Sequence, residues 1–141
     1  MNKKIKLSNF TIKNDSDRLT LISGPCLLEN DKMVYKVASK LSSLSKKYKF
    51  NLIFKCSFDK ANRSSHTSER SQMSLNSAMD ILKTIKKDFK LSVTTDVHET
   101  SQISKLVEYI DVIQIPAFLS RQPYVREKSP YQAEVVPNRY P

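Results

Sequence analysis

Apolar residues recur along this chain in two alternating patterns, short continuous runs and longer stretches with three- and four-residue spacing. The runs predict buried β-strands, and the spacing predicts amphipathic helices. The predicted strands are Leu19–Ser23, Asn51–Phe58, Leu91–Val97 and Asp111–Ile115, and the predicted helices are Asp31–Tyr48, Ser74–Phe89 and Ser101–Tyr109. Before them, Lys4–Ile12 alternates roughly and predicts a short strand or one arm of a hairpin.

This order, β-α-β-α-β-α-β, predicts an α/β fold with a parallel sheet covered by helices, because its strands are continuously apolar. Polar residues gather just after each strand. This is the carboxyl end of the strands, where parallel sheets and barrels carry their catalytic and ligand-binding residues. From Pro123 the pattern is lost, and four prolines occur in residues 123–141. We therefore predict a globular domain over residues 1–122 and a divergent, irregular tail over residues 123–141.

The residues after the second of these strands are rich in groups suited to phosphate. Three cations and three neutral donors occur within this one segment: Lys55, Lys60, Arg63, Asn62, Ser64 and Ser65. Lysine provides a compact charge, and arginine can hold a phosphate with two hydrogen bonds. The alternative is a solvated basic loop, and on the residues alone the two interpretations carry equal weight.

The net charge of +10 raises the question of nucleic-acid binding. Nucleic-acid binding favours cations gathered on one face, whereas the lysines here are spread over the whole chain, so nucleic acid is not the expected partner. No apolar run approaches the ~20 residues of a membrane span, and no export signal is recognisable. We expect a cytoplasmic protein with its two cysteines reduced.

Four segments carry a resemblance to a known family: Ser23–Cys26 with Glu29, Phe54–Ser65, Thr95–Glu99 and Asp111–Gln122. In this order and spacing they resemble 3-deoxy-D-manno-octulosonate 8-phosphate synthases, over residues 3–122. The resemblance implies a truncated (β/α)8 TIM barrel, with about the first four β/α units preceded by a short β-hairpin.

The activity implied by this resemblance is that of a transferase that condenses phosphoenolpyruvate with D-arabinose 5-phosphate and releases phosphate. The product is a lipopolysaccharide precursor. One alternative is the related 3-deoxy-7-phosphoheptulonate synthase, against which the segment Asn62–Ser65 argues. An alternative of another class is a non-catalytic protein that binds a phosphorylated metabolite or nucleic acid.

The resemblance also implies roles for individual residues. Lys60, Asp96 and His98 are the expected catalytic residues. The expected substrate contacts are Lys55, Lys60, Asn62, Arg63, Ser64, Asp96, Gln114, Pro116, Ala117, Phe118 and Arg121. Cys26 resembles a ligand of a divalent metal (Fe, Zn or Mn) in the metal-dependent branch, and the family implies a homotetramer.

Three departures from the family pattern bear on activity. The family's glycine-containing loop appears here as Arg70–Met73, without glycine. The residues after Gln122 do not continue the pattern, and the other metal ligands expected from the family are not in this chain. A single ligand does not form a four-coordinate site, so we expect this chain on its own to be inactive or impaired.

Overall fold

Four parallel strands form the central sheet in a computed structural model, which describes residues 4–59 and 73–116. The elements are β1 (Lys4–Lys6), β2 (Thr11–Lys13), β3 (Thr20–Ser23), α1 (Asp31–Tyr48), β4 (Asn51–Lys55), α2 (Leu75–Phe89), β5 (Ser92–Asp96), α3 (Thr100–Leu106) and β6 (Val112–Gln114). The sheet order is β3-β4-β5-β6, and each neighbouring pair is parallel. The predicted α/β class and element order are confirmed, while the domain boundary at residue 122 lies outside the described residues.

The two long helices begin and end at residues suited to these positions. The Asn30 side chain accepts a hydrogen bond from the Met33 N–H at 2.8 Å, and Ser74 accepts one from the Ser77 N–H at 3.1 Å. Such caps satisfy backbone donors that the first helical turn leaves unpaired. At the other ends, Lys49 and Lys90 adopt left-handed backbone conformations, with φ of 57° and 53°.

The core lies between the helices and one face of the sheet. The buried cluster on this side includes Val34 of α1, Leu82 of α2, and Leu52, Phe54 and Val93 of the central strands. Since side chains alternate along a strand, the residues between these point to the opposite face.

The loop after β3 passes very close to β4. A Cβ atom placed on Gly24 would lie 1.8 Å from the carbonyl oxygen of Lys55, so only glycine fits there without a backbone shift. Two residues beyond β4, the Ser57 carbonyl accepts a hydrogen bond from the Leu28 N–H at 2.9 Å. The loops that follow these two strands are therefore packed against each other.

The antiparallel hairpin formed by β1 and β2 lies near the amino end of β5. Asn9 donates from Nδ2 to the Lys90 carbonyl at 3.0 Å, and the Ser92 hydroxyl donates to Asn9 Oδ1. The hairpin thus packs at the end of the sheet opposite the predicted site. This confirms the short hairpin that the family resemblance implies. The prediction of Lys4–Ile12 as a single strand or a single arm was wrong, because both arms of the hairpin lie within Lys4–Lys13.

A buried carboxylate ties α2 to the strand ends. Asp111 Oδ2 accepts hydrogen bonds from the Val93 N–H and from Lys86 Nζ, each at 2.9 Å. The Asp111 side chain is 7% exposed and that of Lys86 is 31% exposed, so the carboxylate of this ion pair is shielded from solvent while the lysine is partly accessible. Lys86 also donates to the Tyr109 carbonyl at 3.1 Å.

Several predicted boundaries were wrong by one to three residues. Two differences reach three residues: α3 ends at Leu106 and not at Tyr109, and β4 ends at Lys55 although the apolar pattern continues to Phe58. Cys56 and Phe58 are buried, but they pack against the core after the strand has ended. The Cys56 N–H still donates to the Thr94 carbonyl of β5 at 3.2 Å, so one backbone hydrogen bond between the strands continues past the end of β4. Burial therefore extends beyond the strand, and apolar character alone does not show where the strand ends.

Candidate active site at the carboxyl ends of the strands

Three of the predicted site residues lie on one face of the sheet, the face opposite the helices. Lys55 is paired with Thr94, and Asp96 is paired with Gln114. Paired residues of parallel strands share a face, and so do residues two apart along one strand, which places Lys55, Asp96 and Gln114 on the same side. All three end their strands, so the fold brings together an ammonium, a carboxylate and an amide.

The Lys55 ammonium is oriented by a neighbouring hydroxyl. Its Nζ donates to Ser57 Oγ at 2.9 Å, and Ser57 is itself buried. This contact restricts a side chain that otherwise has four rotatable bonds. It leaves further N–H donors on the same nitrogen for an anionic ligand.

Asp96 and His98 form a second polar pair beside β5. His98 Nε2 lies 3.5 Å from Asp96 Oδ2, and the two side chains are 11% and 13% exposed. The His98 ring also contacts Phe58 edge to face, with ring centroids 5.6 Å apart. The backbone of this turn is fixed by Gln102, whose Oε1 accepts hydrogen bonds from the His98 and Glu99 N–H groups.

Polar atoms of this pair have capacity for further hydrogen bonds. Asp96 Oδ1 and both ring nitrogens of His98 are buried and have no hydrogen-bond partner within the described ranges. Because buried polar atoms are normally paired, such a concentration is typical of a place where a ligand or water supplies the missing partner. The atoms belong to two of the residues predicted to be catalytic.

The buried thiol of Cys56 lies in the electrostatic field of this site. Burial raises its pKa to about 12, the Lys55 charge opposes that rise, and Asp96 and Cys26 add to it. Cys56 is therefore a neutral thiol at physiological pH. Its predicted role as a packing residue is confirmed by its complete burial.

Cys26, the predicted metal ligand, is exposed. Among residues 4–59 and 73–116, no group of three or more His, Cys, Asp or Glu side chains is arranged to hold a metal ion. The donors in this part of the chain therefore do not fit a divalent metal by themselves. Cys26 as a metal ligand stays a prediction.

The remaining predicted contacts fall partly outside the described residues. Pro116 follows β6 and is half-buried. The predicted residues outside the described ranges are Lys60, Asn62, Arg63, Ser64, Ala117, Phe118 and Arg121.

A separate groove of about 1050 Å³ lies between α1 and α2, lined among others by Lys36, Tyr35 and Ile81. No predicted site residue lines it. The groove is lined by residues on the surfaces of two helices, whereas the buried polar atoms without hydrogen-bond partners belong to Asp96 and His98 at the strand ends. We therefore place the candidate site at the strand ends.

Sequence reasoning missed three residues of the site, Ser57, Phe58 and Gln102. Ser57 could have been found, because a residue two positions from Lys55 lies on the same side of an extended chain. The contacts of Phe58 and Gln102 with the His98 turn join separate loops, and no local pattern indicates them.

Comparison with known proteins identifies relatives of this chain. The model of the DAHP synthetase I family matches residues 3–136. Proteins named 2-dehydro-3-deoxyphosphooctonate aldolase are similar to this chain. That of Wolinella succinogenes is 44% identical over 104 residues, which are 74% of this chain and 39% of the relative. That of Francisella tularensis subsp. holarctica is 41% identical over 118 residues, 84% of this chain and 42% of the relative.

A third relative of the same name, from Rickettsia typhi, is 40% identical over 122 residues, which are 86% of this chain and 44% of the relative. The chain thus spans about two fifths of the length of the curated relatives that it matches. No helix in the described part of the chain is both long and apolar enough to cross a membrane.

Proposed function

This chain belongs to the DAHP synthetase I family, and from that membership we propose that it forms part of the substrate site of a 2-dehydro-3-deoxyphosphooctonate aldolase. The reaction joins phosphoenolpyruvate to arabinose 5-phosphate. The enol carbon attacks the sugar aldehyde, water adds at the neighbouring carbon, and phosphate is released. The observation that carries the proposal is the placement of Lys55, Asp96 and Gln114 on one face at the strand ends.

Each described residue has a chemical task in this proposal. Lys55, held by Ser57, faces the negative charge of phosphoenolpyruvate and stabilises the charge that develops as the bond forms. Asp96 accepts hydrogen bonds from sugar hydroxyls through Oδ1, which has no partner among residues 4–59 and 73–116. His98, next to Asp96, can donate or accept a proton through ring nitrogens that have no hydrogen-bond partner among the described residues.

The remaining predicted contacts, most of them outside the described ranges, complete the proposed site. Lys60 contributes a second cation for phosphoenolpyruvate. Asn62, Arg63 and Ser64 hold the sugar phosphate, and Gln114, Pro116, Ala117, Phe118 and Arg121 line the pocket. The heptulonate-synthase alternative is less favoured, since the relatives compared above are named as octulosonate enzymes.

Calorimetry with phosphoenolpyruvate tests the proposal. Lys55→Met removes the charge at nearly constant length and should weaken binding about tenfold or more, as expected for a charge-assisted hydrogen bond. Lys40→Met is the matched control, because Lys40 is an exposed lysine of α1, and its affinity should equal that of the unchanged protein. Equal affinities of the two variants would contradict the proposal.

A second titration separates the roles of the two residues. Asp96→Asn should weaken arabinose 5-phosphate and leave phosphoenolpyruvate binding nearly unchanged. Duplex DNA titrated at several salt concentrations provides the other comparison. Steeply salt-dependent DNA binding without a sugar-phosphate signal would favour a nucleic-acid-binding protein instead.

The metal, the assembly and the location also belong to the proposal. We propose Cys26 as one thiolate ligand, with the further ligands supplied from outside this chain, and a homotetramer located in the cytoplasm. Titration with Co²⁺ tests the thiolate, because a cysteine–cobalt bond absorbs in the near ultraviolet. Cys26→Ser should abolish that band, whereas Cys56→Ser should keep it.

A further inference from the structure

Three lysines form a row on α1 along the groove between α1 and α2. Lys32, Lys36 and Lys40 are four residues apart, so they recur about every 6 Å on one face of the helix. All three are exposed and line the groove. Within residues 4–59 and 73–116, no acidic side chain forms an ion pair with any of these lysines.

This arrangement is unfavourable for α1 by itself. Cations four residues apart on a helix repel each other. Lys32 also lies in the first turn, where the helix dipole favours a negative charge over a positive one. The Asp31 carboxylate accepts a hydrogen bond from the Lys32 backbone N–H at 2.8 Å rather than from its ammonium group. An anionic ligand in the groove would therefore relieve a repulsion that the described residues leave uncompensated.

The rest of the groove lining suits a polypeptide better than a chain of phosphates. Tyr35 is 40% exposed, and two contacts hold it in place: its ring packs on Phe89 with centroids 4.9 Å apart, and its hydroxyl donates to Asp88 at 2.7 Å. Ile81 of α2 adds a second apolar surface to the lining. Asp80, next to it, would repel phosphate groups. The groove thus combines a row of cations with fixed apolar surface.

We propose that this groove binds an amphipathic helix of another protein, whose carboxylates face the three lysines and whose apolar side chains face Tyr35 and Ile81. Residues four apart on a bound helix have the same 6 Å interval as those on α1, so a Glu or Asp at every fourth position can meet each lysine in turn. An amphipathic helix in a groove also covers the apolar surface there. A second copy of this chain is disfavoured as the occupant, because two proteins of net charge +10 repel each other.

Fluorescence anisotropy tests this proposal with a labelled, alanine-rich helical peptide that carries glutamate at every fourth position and leucine directly after each glutamate. Lys36→Glu places a carboxylate against the carboxylates of the peptide and should raise the dissociation constant about tenfold or more. Lys87→Glu is the matched control, because it makes the same change in net charge at an exposed lysine of α2 that does not line the groove. At near-physiological salt its affinity should equal that of the unchanged protein.

Thermal unfolding without peptide adds a second readout. Lys36→Glu replaces two repulsive pairs in α1 by attractive ones, so its melting temperature should rise by about 2 °C while its peptide affinity falls.

Three results would each overturn the proposal. The first is an equal affinity of the Lys36→Glu and Lys87→Glu variants for the peptide. The second is equal binding of a peptide of the same composition whose glutamates are consecutive, because it would show only general attraction to a basic protein. The third is duplex DNA that binds with the same dependence on Lys36, which would assign the lysine row to nucleic acid. Phosphoenolpyruvate is absent from these titrations, so they separate failure of this contact from failure of the proposed function.

Discussion

Replacing Gly24 by alanine should destabilise the fold and displace the key lysine of the site. The new Cβ would lie 1.8 Å from the Lys55 carbonyl oxygen and 2.8 Å from its carbonyl carbon. Both are backbone atoms, so no side-chain rotation can relieve the clash. To reach even 3.0 Å from that oxygen, the loop and β4 would have to separate by about 1.2 Å.

Such a separation acts on the carboxyl end of the β3–β4 ladder, next to the Ser23–Phe54 pair. Losing one or two backbone hydrogen bonds together with the overpacking gives a cost of about 2–4 kcal/mol. For a protein of this size the melting temperature should fall by roughly 10 °C. Lys55 would shift with its strand, so phosphoenolpyruvate binding should weaken even at temperatures where the variant is folded.

Thermal unfolding followed by circular dichroism measures the first effect, and calorimetry on the folded variant measures the second. Ser23→Ala is the control, because it removes an atom at the neighbouring position and adds none towards β4. A Gly24→Ala protein that melts within about 2 °C of the unchanged chain would refute the close approach on which this reasoning depends.

Two further predictions concern buried groups. Asp111→Ala should lower the unfolding free energy by about 2–3 kcal/mol, because the Val93 N–H and Lys86 lose their acceptor. Asp111→Asn keeps an oxygen at this position and should lower the unfolding free energy by about half as much. Urea unfolding measures both effects, and equal midpoints for the two variants would contradict this reasoning. Because the pKa of Cys56 is raised from 9.0 to about 12, its stabilising effect is complete below pH 9 and is lost as pH rises towards 12. At pH 10 the loss should be about 1 kcal/mol relative to pH 8, and Cys56→Ala should not show it.

The first and last residues of α1 were predicted correctly because the signals for both ends lie in the local sequence. Asn30 caps the first turn, and the apolar spacing continues to the last one, so the prediction Asp31–Tyr48 agrees with the structure. The end of β4 could not be predicted in the same way, since Cys56 and Phe58 continue the apolar pattern and are buried in the core although β4 ends at Lys55. A local pattern shows which residues avoid water, but not which neighbour covers them.

The same limit explains the exposed edge and the incomplete site. Leu21 and Ile22 predicted a strand correctly, yet their exposure depends on what lies beside β3, which the sequence pattern does not show. Lys55 and Asp96 could be placed at the strand ends from their position after apolar runs. The contact of Lys55 with Ser57 follows from strand alternation, whereas the approach of Phe58 to His98 depends on the paths of two loops.

The most direct test of the account is to locate phosphoenolpyruvate on the protein by NMR with isotope-labelled chain. Binding on the proposed face predicts that the largest chemical-shift changes fall on Lys55, Ser57, Asp96 and Gln114, at the carboxyl ends of neighbouring strands. Shift changes confined to the groove between α1 and α2, around Lys36, would contradict it.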